Sequence, residues 1–475
     1  SPMDFNGLVR HYYLRGRPNE AELRVTLADK LARQDQSHAL ILRLRPELAS
    51  IAEDYGVNVK LVEVPPGPPV IATLVGEHYG TPTTPYQTLI DASAATAVRL
   101  RKEPGVVDVD ISAADSAQRL IFVPDQEKAA LSGISAQTIA TALEVAISGH
   151  TATYAGVEDE VNPLPVVVRV PFARRDELMS LHVEGLPGIA KDRTRGGVTN
   201  APTPMVALGE LGALQNVTRD QPVYHKDLQR VAYTFAEVAG RVPAAVIYDV
   251  DADRDLSDST SEQARPIEGR TFFNSGGGQA WQLPADVTLS WAGEGEWNIT
   301  LRVFRDLGIA FGVAILGIFV VVRLQTGLAT LTGIIMLSIP LTAVGIMPGF
   351  WILNMLAAGQ VGEYADPVLF TATAMIGMIA LAGIVVRNSL MLVEFVQQDL
   401  TRGAPLTEAL VNSGLARARP VLLTAGTTML GNLVITLDPI FSGLAWAVIF
   451  GVFASTAFTL FIVPVVYQLV YGGKV

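Results

Sequence analysis

The sequence predicts an α+β soluble region of about 300 residues followed by an all-α bundle of five transmembrane helices. Three observations carry this reading. Residues 306–475 hold six Lys/Arg and seven Asp/Glu, leaving 29 and 39 in residues 1–305, so the first part carries ten of the eleven net negative charges. Hydropathy divides the same way, and the chain reaches a mean hydropathy of +0.34 with 17% charged residues. The first part also repeats a strand–helix–strand pattern. The second holds five apolar runs near the ~20 residues that a helix needs to cross a bilayer.

In the soluble region, "AELRVTLAD" (21–29) alternates as a strand does. "SHALILRLRPELASIAEDYG" (37–56) has helical spacing with Gly56 as its C-cap, and "VNVKLVEV" (57–64) returns to a strand. "PPGPP" (65–69) is a stiff connector. The plan then repeats in "VIATLVGEHYG" (70–80), "PYQTLIDASAATAVRLRKEPG" (85–105) and "VVDVDIS" (106–112), so two small α+β sandwiches are expected. A third unit opens at "RLIFVPDQEKAALSGISAQTIATALEVAISG" (119–149) as a strand, a turn and a helical stretch. It continues through the strand "LPVVVRVPF" (164–172) to about Pro202, with "KDRTRGGVTNAPTP" (191–204) as loop. "MVALGEL" (205–211) and "VTRDQPVYHKDLQRVAYTFAEVAG" (217–240) read as strands returning to the second sandwich. "FNSGGGQAWQLP" (273–284) reads as a flexible loop, and "DVTLSW" (286–291) is the last strand.

The apolar runs are about 307–322, 327–347 with Pro340 inside, 369–395 with Arg387 inside, 419–437 after "RARP", and 443–470. Arg323, Arg402, Arg417, Arg419 and Lys474 fall in loops on one side, and Glu363, Asp366 and Asp438 on the other. The excess of Lys/Arg marks the cytoplasmic side, which puts residues 1–305 across the membrane and the C-terminus inside. Some 300 residues would then cross with no preceding helix in the chain. The expectation is a piece of a longer protein.

Composition also excludes functions. There are no cysteines, so no disulfide framework, thiolate metal site or catalytic thiol is expected. No G-x-x-x-x-G-K-[ST] occurs, which excludes P-loop nucleotide hydrolysis. The acidic soluble part argues against nucleic acid. In that part the methionines are Met3, Met179 and Met205, and His11, His38, His78, His150, His182 and His225 are scattered. Soft-metal ligation needs clustered sulfur or imidazole, so no metal site is expected. "FNSGGG" is a weak phosphate cradle and is better explained as loop. No cofactor and no catalytic residue are expected, and the chain does not read as an enzyme.

The distinctive residue is Arg387 in "GIVVRNSLMLVEF" (383–395). A guanidinium at mid-bilayer costs ~2.5–3.5 kcal/mol even on a lenient insertion scale, so it should face protein and pair with an acid. Glu394 lies seven residues on, about 10 Å along a helix at ~1.5 Å per residue, too far for direct pairing. Arg387 thus lacks a partner in this sequence.

Five stretches resemble the C-terminal half of resistance–nodulation–division (RND) efflux transporters. They are "EVPPGPPV" (63–70), "VPDQEKAALSGIS" (123–135), "QPVYHKDLQRVAY" (221–233), "TATAMIGMIALAGIVVRNSLMLVEF" (371–395) and "ARARPVLLTAGTTMLG" (416–431). The resemblance implies ferredoxin-like porter subdomains at 1–70 and at 71–118 plus 205–300. It implies a docking subdomain at 119–204 and a transmembrane domain at 301–475 resembling helices eight to twelve. It further implies a homotrimeric, proton-driven pump of the bacterial inner membrane, working with a periplasmic adaptor and an outer-membrane channel. Such a pump would export hydrophobic or amphiphilic compounds, the multidrug-resistance role. In the family a membrane acidic pair on the N-terminal half, absent here, faces a lysine. Arg387 aligns with that lysine, Arg417 and Thr424 match polar positions of the relay, and Asn388, beside Arg387, is placed to hydrogen-bond across helices as part of the same coupling set. Two alternatives stand beside this reading: a heavy-metal cation exporter of the same superfamily, and a truncated or assembly subunit that transports nothing.

Overall fold

The computed structural model describes residues 21, 23, 25–29, 32–33, 35–62, 70–156, 162–171, 177–194, 196–438 and 440–472. The connector at 65–69, Met3, His11 and Lys474 lie outside the described residues. Contacts divide the chain into two compact units, Ser1–Ala113 with Val223–Val475, and Ala114–Pro222.

The larger unit opens with α1 (Ser37–Asp54), which buries Leu42, Arg45 and Ala52 on one side. Gly56 ends it at φ +60, a backbone conformation glycine adopts without steric cost. The strands expected on either side do not form among the described residues of 21–29 and 57–62. A strand exists only where a ladder partner is available. Here 57–62 is held by side chains instead: Leu61 N–H donates to Asp108 Oδ2 at 3.0 Å, and Lys60 pairs with Asp110 at 2.5 Å.

Next come β1 (Leu74–Gly80), α2 (Tyr86–Arg101) and β2 (Val106–Ile111). The smaller unit follows, with β3 (Gln118–Pro124), α3 (Gln126–Leu131) and α4 (Ala136–Ile147). Asp125 caps α3 by accepting the N–H groups of Glu127 and Lys128, and Ser135 caps α4 by accepting that of Thr138. The unit continues with β4 (His150–Ala155), β5 (Leu164–Val168), β6 (His182–Glu184), β7 (Ile189–Lys191), β8 (Val198–Asn200), β9 (Met205–Ala207), α5 (Leu208–Leu211) and β10 (Gly212–Thr218). The stretch read as loop at 191–204 is partly a hairpin, β7 against β8. The stretch read as a strand at 205–211 turns helical at Leu208, where Leu208 and Leu211 enter the unit's core. β10 pairs with β3 over seven residues, from Gly212 opposite Pro124 to Thr218 opposite Gln118. That ladder draws residues 205–222 into this unit, past the boundary near 204 expected from the sequence.

The chain returns to the larger unit with β11 (Tyr224–Lys226), β12 (Gln229–Val238), α6 (Pro243–Ala252) and β13 (Val287–Ser290). The sheet is antiparallel. β12 pairs on one side with β1, which pairs in turn with β13; on its other side it pairs with β2 and β11. Val246, Ile247 and Val250 of α6 and Ala97 and Leu100 of α2 pack on Leu74, Val109 and Ala236 of the sheet.

Among the described residues, five helices are long and apolar enough to cross a membrane, and they complete this part of the chain. They are α7 (Glu296–Thr326), α8 (Ala329–Met336) running on into α9 (Ser338–Ala357), α10 (Ala372–Thr401), α11 (Leu406–Leu433) and α12 (Ser442–Tyr471). The second span breaks at Leu337 because Pro340 has no N–H for the carbonyl of Met336. Between α9 and α10 lies a small hairpin, β14 (Gly359–Val361) and β15 (Tyr364–Asp366). Each span is longer than the apolar stretch that marks it, though the added turns fall at different ends: α10 starts at Ala372 and runs on to Thr401, whereas α11 starts early at Leu406 and stops at Leu433.

His78 of β1 is 0% exposed. Its Nδ1 donates to the carbonyl of Ala232 at 3.1 Å, and its Nε2 lies 2.8 Å from the hydroxyl of Thr96. Burial lowers its pKa to about 4. The folded value lies below the ordinary 6.5, so the contribution to stability is complete above about pH 6.5 and is lost as pH falls toward 4. The expected loss is up to about 3 kcal/mol at ~1.4 kcal/mol per pKa unit. Unfolding of the purified protein measured across that window will show this slope, and His78→Leu will flatten it.

Candidate functional site

α10 has two unlike faces. Val385, Val386, Ser389, Leu392, Val393 and Val396 are buried. Ile376, Ala380, Gly383, Arg387, Met391, Glu394 and Gln398 are exposed, at spacings of three and four. At ~100° per residue these seven form one line along the helix. The buried face explains its direction: Ser389 Oγ lies 3.5 Å from Thr459 Oγ1 of α12, so that side is turned inward. Among the described residues, the Arg387 side chain makes no ion pair and no hydrogen bond. A line carrying Arg, Glu and Gln along an otherwise apolar helix has the composition of a protein-facing surface, since hydrocarbon disfavours such groups.

The other expected site residues are placed separately. Asn388 follows Arg387 and is half-buried. The sequence put Arg417 and Arg419 at the start of a span, yet α11 begins at Leu406 and carries both in its interior, with Pro420. Its first turns form because Leu406, Ala409, Leu410 and Ser413 repeat at helical spacing and are buried. The Arg417 guanidinium lies 5.2 Å from the centroid of the Phe395 ring of α10, a cation–π contact, and its Nε is buried without a hydrogen-bond partner. Thr424 is exposed and donates to the carbonyl of Val421 at 3.0 Å. No hydrogen bond or ion pair links Arg387, Asn388, Arg417 and Thr424 among the described residues. The sequence reading missed Phe395 and the Ser389–Thr459 pair, whose spacing in the chain carries no signal.

The glycine run at 273–284 is neither free loop nor open anion cradle. The N–H groups of Gly277, Gly278 and Gln279 donate to the Asp253 carboxylate at 2.9–3.0 Å, and that of Gly276 donates to Asp249 at 2.7 Å. The chain's own carboxylates occupy the nest. They belong to a buried ionic network. Arg99 pairs with Glu103 at 2.8 Å and Asp253 at 2.7 Å; Arg241 pairs with Glu103 at 2.5 Å and also with Asp249. Arg270 joins Glu103 and, at 3.0 Å, Asp249. Hydrogen bonds from Gly276 and the two arginines hold Asp249 below the usual carboxylate range, against the opposing effect of burial. Among the described residues no group of three His, Cys, Asp or Glu could hold a metal ion.

A sheet domain with a second compact unit in its sequence, continuing into five apolar helices with a charged line on the third span, defines a multi-pass membrane protein with a large part outside the bilayer. The sequence profile of the AcrB/AcrD/AcrF family matches residues 3–256 and 275–471, and the chain belongs to this family, within the RND superfamily. It is 26% identical over 380 residues to the cobalt-zinc-cadmium resistance protein CzcA of Cupriavidus metallidurans, covering 78% of this chain and 31% of that protein. It is also 26% identical over 376 residues to the swarming motility protein SwrC of Bacillus subtilis, covering 78% and 31%. Among solved structures it resembles a heavy metal efflux pump at a TM-score of 0.60 and 20% identity, over 84% of this chain and 35% of that one. The chain therefore spans about a third of the length of these relatives.

Asp253→Ala will strip the nest of its anion and leave Arg99 short of a partner at a buried site. Breaking such a pair costs ~3–5 kcal/mol. The thermal midpoint of the purified protein will fall clearly, while inorganic phosphate added to the unaltered protein will not raise it.

Proposed function

We propose that the chain is the C-terminal half of a proton-driven RND exporter of the bacterial inner membrane, with a divalent transition-metal cation as cargo. The exposed, unpaired Arg387 in mid-span carries the coupling part of this reading. An acid on a helix of the other half would complete the pair. Protonation of that acid would release the cation, and α10 would respond. Arginine stays protonated, so Arg387 pairs and releases but does not carry protons. Asn388 lies beside it, and Arg417 and Thr424 are proposed as relay positions on α11.

The cargo assignment rests on relatives. CzcA, the nickel-cobalt-cadmium resistance protein NccA of Alcaligenes xylosoxydans and the heavy metal efflux pump bear names that speak of cations. They favour this over the amphiphilic compounds expected from the sequence. The chain would supply the coupling helix rather than a ready ligand cluster. A 36% match over 104 residues to the multidrug resistance protein MdtC of Erwinia amylovora keeps drug export as the second reading.

In the same reading residues 1–300 lie in the periplasm and the C-terminus in the cytoplasm. The sheet domain serves as porter and residues 114–222 as the docking part, in a trimer that meets an adaptor and an outer-membrane channel. The ferredoxin-like assignment is supported by the sheet. Its β–α–β–β–α–β order places the strands second, third, first and fourth across the sheet, as β2, β12, β1 and β13.

In everted vesicles holding the complete pump, Arg387→Ala will lower proton-driven Zn²⁺ or Co²⁺ movement by roughly tenfold or more, given the desolvation of the pair. Undiminished movement would refute the coupling role. Movement of an amphiphilic dye with no cation movement would favour the second reading.

A further inference from the structure

We propose that the β14–β15 hairpin is a strut that carries displacement of α10 into the sheet domain, with Gly240 and Asn354 as positioning residues. The proposal rests on the coupling role assigned to Arg387.

The base of the hairpin is rooted in the helix bundle. Asn354, near the end of α9, donates through Nδ2 to the carbonyls of Phe350 and Val368, both at 3.0 Å, and its Oδ1 accepts the Val368 N–H at 2.8 Å. One side chain thereby ties the strand leaving the hairpin to the helix entering it. Phe370, two residues before α10, lies 5.6 Å from Phe350 and 6.4 Å from Phe304 of α7, ring centroid to centroid. Phe350 in turn lies 6.0 Å from Phe450 of α12.

The other end meets the sheet domain through backbone. Gly240, just past β12, has φ +70. A Cβ there would sit 2.7 Å from the carbonyl oxygen of Ala365 and 3.0 Å from its nitrogen, so only glycine permits this approach. Gly362, between the two strands, comes near the carbonyl of Leu42 in α1, where an added Cβ would lie 3.9 Å away. Pro46, four residues on, has no N–H to give that carbonyl its helical hydrogen bond. Arg241, next to Gly240, holds Glu103 and Asp249 of the buried network. The hairpin thus abuts a rigid point of the sheet domain.

A second route runs through α7, which is continuous with the sheet through β13. Along its most apolar stretch 6% of α7 is buried in the bundle, against 44% of α10. α7 does touch α10, with Val322 in one cluster with Ala382, Val386, Leu392 and Val393, but the hairpin is joined to α10 through five residues and clamped to α9, the more direct connection.

The test is hydrogen–deuterium exchange on the complete pump in lipid nanodiscs at about pH 5.5 and about pH 8. Three forms are compared: the unaltered pump, Gly240→Val, and a form with residues 359–366 replaced by Gly/Ser of equal length. In the unaltered pump, the pH step is expected to change exchange in both 372–390 and 229–241. In both variants the helix response is expected to remain and the strand response to fall by more than half. The equal-length replacement keeps the test open where Gly240→Val does not fold. A strand response that persists beside the helix response in the replacement overturns the strut. Loss of both responses in every folded variant assigns the hairpin a purely structural part and also overturns it. Absence of a helix response in the unaltered pump instead refutes the coupling role of Arg387, and the strut with it.

Discussion

Close approach of helix backbones is the constraint on which the membrane part depends. Lipid tails are as apolar as leucine, so helices associate there by fit, and small residues let them meet. α12 supplies the seam. Gly377 of α10 sits against Ala447 and the carbonyl of Leu444, where an added Cβ would lie 2.9 Å from that oxygen. Gly345 and Gly349 of α9 meet Ala454 and Phe450 of α12, and Gly451 meets Leu381 of α10. Ser389, Ser455, Thr456 and Thr459 are buried in the bundle, and the last three belong to α12. One face of α10 is committed to this seam. Its opposite face, with Arg387, is necessarily the one left outward.

Charge is handled in two ways along the chain. In the sheet domain three arginines, 99, 241 and 270, meet three acids, 103, 249 and 253, in one network whose charges balance. Each ion there is desolvated, so the arrangement is costly to disturb even though its net worth relative to an apolar core is small. The glycine run closes over it with backbone N–H groups and makes that corner stiff. In the bundle, Arg387 has no such company. A balanced buried network holds a shape, whereas a lone charge on an apolar helix holds one only while a second body answers it.

Much of this was legible in the sequence, for identifiable reasons. The five spans follow from long apolar runs, and β1, α2, β2, β12 and β13 from periodicities of two and 3.6 bounded by turn residues. Arg387 stood out because charge is rare in such a run. What was illegible depended on tertiary partners. Residues 21–29 and 57–62 alternate as strands do, but among the described residues they have no ladder to join. Residues 205–222 follow β3 because β10 pairs with it, and local pattern does not reveal pairing. The glycine run read as flexible because its anions, Asp249 and Asp253, lie more than twenty residues away in sequence. The first turns of α11 were hidden by Glu408 and by a hydropathy lower than that of a span, so Arg417 seemed terminal.

The choice of arginine at 387 narrows how the proposed coupling can work. A lysine in an apolar setting can lose its proton, which gives two ways to dissolve the pair. Arginine leaves one, the neutralisation of the acid. After that step the guanidinium is still charged and still in a region where isolated charge costs several kcal/mol. It must then find water, another acceptor or a new position. α10 cannot simply turn to meet this need, because its other face is interlocked with α12 through Gly377, Leu381 and Ser389. Rotation would drive side chains into backbone. The available responses are movement of the side chain and displacement of α10 with its neighbours as a packed body, and the second is the one that can be felt outside the membrane.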